Sequence, residues 1–129
     1  MTDKTKGEFQ LVFDQLKEIM SKYASGQMQI RSGIQGQYEL IGPPTSQSKG
    51  REVWFGAVRI GKRYVSYHLM AIYACPDLLN HVSPELKQRM QGKSCFNFTR
   101  VDERLFKELA ELTEQGYQRF LGKGLINAG

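Results

Sequence analysis

The chain has 129 residues, 40% of them apolar and 11% aromatic, with a formal net charge of +5. That length suits one domain built on a single apolar core. No apolar run reaches the roughly 20 residues of a bilayer-spanning helix, and the polar start "MTDKTKGEFQ" lacks the pattern of a secretory signal. A cytoplasmic protein with no membrane partner is expected.

The first predicted element is a helix over residues 6–24. Phe9, Val12, Phe13, Leu16, Ile19, Met20 and Tyr23 form one apolar stripe on a 3.6-residue period, with Asp14, Lys17, Glu18 and Lys22 opposite. Such a stripe calls for a broad surface, most simply a sheet. Period two then takes over: Met28 and Ile30, then Tyr38 and Leu40, mark two short strands joined around Gly33 to Gly36. "GPPTSQSKGR" reads as a loop and as the most mobile segment.

"EVWFGAVRI" and "KRYVSYHLM" are the strongest strand pair. Gly61-Lys62 between them has the Gly-X form of a two-residue type II′ turn. Counting outward from that turn places Ile60, Val58, Gly56 and Trp54 on one face with Arg63, Val65, Tyr67 and Leu69. Arg59, Ala57, Phe55 and Val53 fall on the other with Tyr64, Ser66, His68 and Met70. The first face is the more apolar and is expected to meet the helices. The second mixes charged, hydroxyl and aromatic groups, as a half-open antiparallel face can.

Pro76 can open a short helical turn. Ser83-Pro84-Glu85 has N-cap, first-position proline and first-turn acid in order, so a helix is predicted from Pro84 to about Met90, ending near Gly92. "SCFNF" is a further strand. Asp102 caps a last helix carrying Leu105, Leu109 and Leu112, after which "GKGLINAG" is expected to fray. The whole reads as one α+β domain over residues 1–129. Its antiparallel sheet of about five strands is backed by N- and C-terminal helices, with a short helix before the last strand.

Several chemistries find no support in the residue pattern. "GKS" at Gly92 to Ser94 ends like a phosphate-binding loop, but Lys87 stands where the first glycine is needed and a strand follows instead of a helix. His68, Cys75, His81 and Cys95 match no zinc spacing. Cys75 and Cys95 are expected to be reduced and packed. No nucleophile motif appears; a buried pocket joining His68 to Cys75 or Cys95 would reopen the question of an enzyme.

The charge distribution is more informative. Residues 25–100 hold ten Lys/Arg against four Asp/Glu, while both ends are near balance. A basic middle attracts anionic partners. The expected function is therefore a non-enzymatic binding module for an anionic small molecule or an acidic protein, with nucleic acid also open. The expected ligand-binding set is Arg59, Tyr64, Ser66 and His68 on the half-open face, with Lys62 and Lys93 at its rim. Lys62, Arg63 and Lys93 would form one basic rim if the two Gly-Lys turns lie close together.

The ordered segments "GKRYVS", "PELK" and "GKSCFNF", within a match over roughly residues 8–120, resemble the YdhG-like family of small bacterial domains. The resemblance implies an α/β sandwich with an antiparallel sheet and flanking terminal helices. Some members of that family are described as frataxin-like intracellular iron chaperones. The alternative function it implies is iron delivery without a resident cofactor. Asp14 and Glu18 on the first helix are then the metal-binding candidates.

Overall fold

The apolar stripe of the first helix is buried as its period requires. In the computed structural model, which describes residues 4–24, 26, 28–32 and 35–126, α1 runs Lys4–Ser21. It turns Phe9, Val12, Phe13, Leu16 and Met20 into the core, and Tyr23 joins them from the turn beyond. The surface it meets is an antiparallel sheet of β1 (Gln29–Arg31), β2 (Gln37–Gly42), β3 (Val53–Ile60), β4 (Val65–Leu69), β5 (Met90–Gln91) and β6 (Cys95–Phe98). Their spatial order is β1-β2-β3-β4-β6-β5. The long last helix, named α4 below, packs beside α1 on the same face.

Between β4 and β5 the chain makes α2 (Met70–Ala74), a 3₁₀ turn (Pro76–His81) and α3 (Pro84–Lys87). Ser83 caps α3, its hydroxyl accepting from the Leu86 amide at 3.2 Å. The helix is shorter than the sequence suggests. Met90 and Gln91, expected at its end, form β5 against Phe96 and Cys95 instead. The described sheet therefore has six strands where about five were expected. Asp102 caps α4 (Glu103–Gly122) through the Leu105 amide, as predicted.

The β3–β4 hairpin differs from its expected form in two ways. First, the turn is centred one residue further on. Gly61 pairs with Tyr64, donating its amide to that carbonyl at 2.9 Å, so Lys62 and Arg63 are the turn residues. Pairs become Ile60–Val65, Arg59–Ser66, Val58–Tyr67 and Ala57–His68. Each partner moves by two residues, an even number, so every side chain past the turn keeps its predicted face.

Second, β3 is irregular where it passes β2. Gly56 faces Leu40, but Trp54 faces Ile41, which leaves Phe55 as an extra residue. A bulge of this kind reverses the alternation beyond it. Phe55 turns into the core, fully buried, with its ring 5.7 Å from Tyr23 and 5.9 Å from both Tyr117 and Phe120. Trp54 turns out to the opposite face. The expected sides of these two rings are thus exchanged. Gly56, beside the bulge, admits the closest approach of α1: a Cβ there would lie 2.6 Å from the His68 carbonyl oxygen and collide with Met20.

One buried polar pair spans the layers. The Tyr67 hydroxyl lies 2.7 Å from Thr113 Oγ1, which itself donates to the Leu109 carbonyl of α4. The segment expected to fray is docked as far as it is described. Ile126 is 1% exposed, and the Gly124 carbonyl accepts from Thr45 Oγ1 at 2.8 Å. That bond ties the Pro/Ser-rich loop to the end of α4. Residues 127–129 lie outside the described part.

Candidate functional site

The face of the sheet turned away from the helices is built by alternation along β2, β3, β4 and β6. Its accessible groups include Trp54, Arg59, Tyr64, Ser66, His68, Cys95 and Asn97. Five of the six expected ligand-binding residues meet there. Arg59, Lys62, Tyr64, Ser66 and His68 line one depression of about 480 Å³, together with Gly61 and Arg63. No acid lines it. Among the described residues the three ion pairs are Arg31–Glu52, Arg104–Glu85 and Arg119–Asp77. Among the described residues, Arg59, Lys62 and Arg63 are thus not ion-paired with a carboxylate.

Lys93 stands elsewhere. Its turn joins β5 to β6 beside the far end of β4, where Ser94 accepts from the Leu69 amide. Its ammonium sits over the Tyr73 ring, 5.9 Å from the centroid. The length of β4, roughly 17 Å at about 3.4 Å per residue, separates it from Lys62 and Arg63. The single rim expected from the two Gly-Lys turns does not form, because antiparallel pairing of β4 with β6 sends them to opposite ends.

The end near Lys62 and Arg63 is more basic than the sequence pattern indicated. Arg63 also lines an adjoining depression of about 390 Å³ with Arg89, Arg100 and Glu8. Arg89 precedes β5 and Arg100 follows β6, so these side chains converge only when the strands pair. Nothing in their spacing announces it.

His68 and Cys95, cross-strand partners, are also brought together. Cys95 Sγ lies 3.5 Å from His68 Nε2 and 3.4 Å from Asn97 Oδ1. Burial pushes the Cys95 thiol up, with a Ser66 hydrogen bond acting the other way. Burial and the nearby Arg59 charge pull His68 below its ordinary value of 6.5. Both shifts favour a neutral thiol beside a neutral imidazole over the thiolate–imidazolium pair of an activated nucleophile. Cys75 is buried apart from them under α4, near Arg119.

A small polar network continues the face toward its edge. The Tyr64 hydroxyl donates to Gln91 Oε1 at 3.0 Å, and Asn97 Nδ2 donates to the same oxygen at 2.8 Å. These bonds fix the Tyr64 ring at the side of the depression. On the opposite flank Trp54 Nε1 donates to Glu39 at 3.3 Å, and its ring lies 6.3 Å from that of His68 at 31°.

Asp14 and Glu18 are exposed on α1, away from this face. Asp14 accepts from Gln10, and Glu18 borders a groove with Glu103. Among the described residues, no group of three or more His, Cys, Asp or Glu is placed to share a metal ion. No described helix is long and apolar enough to cross a membrane. Comparison with protein-family models, curated proteins and solved structures finds no match to this chain.

Proposed function

We propose that this protein is a binding module that takes an anionic ligand, or an acidic group of a partner protein, on the open face of its sheet. The observation that supports it is the depression lined by Arg59, Lys62 and Arg63 together with Tyr64, Ser66 and His68, without a carboxylate in its wall. Arg59 and Lys62 supply charge and several donors. Ser66 adds a hydroxyl, and His68 adds a ring that is neutral near pH 7. A ligand with a planar anionic group could engage Arg59 in two parallel hydrogen bonds.

Calorimetric titration with inorganic pyrophosphate at low ionic strength tests the reading. Saturable heat is expected, diminished several-fold by Arg59→Ala and by added salt. Lys93→Ala, at the other end of β4, is expected to change it far less. An absence of saturable heat, or binding indifferent to Arg59→Ala, overturns the proposal.

A further inference from the structure

We infer that the anion is one stretch of a single-stranded nucleic acid, its backbone following the basic end of the sheet and its bases lying on the aromatic groups of the open face. This inference rests on the binding reading above and narrows it to a ligand class. Its first support is the continuity of charge. The two depressions share Arg63, and together they carry Arg59, Lys62, Arg63, Arg89 and Arg100 from the β3–β4 hairpin and the flanks of β5 and β6. Glu8 is the one acid lining either depression, and none of the five cations is ion-paired among the described residues. One small anion would neutralise only part of this arc, whereas a chain of phosphodiesters repeats its charge along it.

The second support is the chemistry beside the arc. Tyr64, His68 and Trp54 lie on the same face, with Trp54 39% exposed despite its size. A face that carries one exposed and two half-buried rings and leads away from a cationic end is the combination that holds unpaired bases, because every base offers a π-face. An acidic peptide would match the charge but would leave the rings without a stacking partner. A duplex hides its base faces and would use the charge alone. Tyr64 is held in place by Gln91, and Ser66, the cross-strand partner of Arg59, lies between Tyr64 and His68 along β4, where its hydroxyl can donate to a sugar or phosphate oxygen.

Fluorescence anisotropy of the full chain with a labelled oligothymidylate of about twelve nucleotides tests this. The expected result is saturable binding whose log affinity falls with log salt at a slope of about −2 to −3, near 0.7 per phosphate contact. The double variant Arg89→Ala/Arg100→Ala should weaken the strand at least tenfold and flatten that slope, while leaving pyrophosphate binding in the Arg59 depression nearly intact. Trp54→Ala should weaken the strand several-fold and pyrophosphate little; circular dichroism verifies the fold of each variant. Arg104→Ala, on the outer side of α4, is the control. Pyrophosphate binding without strand binding overturns the nucleic-acid inference and leaves the binding module standing. Failure of both overturns both. Equal affinity for duplex, or competition by polyglutamate as strong as by unlabelled strand, also overturns the inference.

Discussion

His68 illustrates how one side chain's surroundings set its chemistry. It is half-buried between β3 and β6, with the Arg59 guanidinium nearby and the Cys95 thiol against Nε2. Burial first, and the Arg59 charge second, hold the imidazole below 6.5. In the fold it binds fewer protons than in the unfolded chain. Its contribution to stability is therefore full above about 6.5 and is lost as pH falls through that value toward the folded one. Proton NMR titration should place His68 below 6.5, and Arg59→Ala should move it upward. A midpoint at or above 6.5 in the parent protein would contradict the arrangement.

At the scale of elements, the joint between α3 and α4 rests on two hydrogen bonds from Ser83 to one carboxylate. The Ser83 amide and hydroxyl both donate to the Glu108 carboxylate, each at 2.6 Å, while the same hydroxyl oxygen accepts from Leu86. Ser83→Ala removes the cap and one of the bonds to α4. A loss of about 1–2 kcal/mol is expected in chemical denaturation, and Glu108→Ala should cost a similar amount through the other end of the joint. Capping was readable in advance, because Ser-Pro-Glu and Asp102 act on amides three residues away. The partner on α4 was not, since it lies 25 residues along the chain. The same division holds on the sheet. Along β4, alternation without interruption correctly placed Tyr64, Ser66 and His68 on the open face. Along β3 it held from Ile60 back to Gly56 and failed at Phe55, because an extra strand residue leaves no mark in composition. The place of Lys93 was not readable for a related reason: turn chemistry shows that a hairpin forms, but not at which end of the sheet it lies.

For the molecule as a whole, the sheet separates a helix-covered core from a face left open to solvent. The core is closed at one end by residues beyond α4. Ile126 packs against Gly42, where a Cβ would lie 2.8 Å from the isoleucine side chain, and Thr45 holds the Gly124 carbonyl. Ile126→Ala should lower stability by about 2–4 kcal/mol in urea denaturation; a change within experimental error would show that this end is not docked. Overall architecture was legible because the two long helices have clean apolar stripes and β4 and β6 a clean alternation. The arc of Arg63, Arg89 and Arg100 was not, since it exists only after β4, β5 and β6 have paired.

The bulge at Phe55 has an optical consequence. It places the chain's one tryptophan outside the core. An indole already in contact with water shifts its emission little when the chain unfolds, so intrinsic tryptophan fluorescence will be a poor gauge of denaturation here. It will instead respond to whatever settles beside His68. Folding is better followed by the dichroism of the buried Tyr38 and Tyr67, which are held within the packed layers. Two spectroscopic windows thus open on two separate events, and one extra residue in a strand divides them.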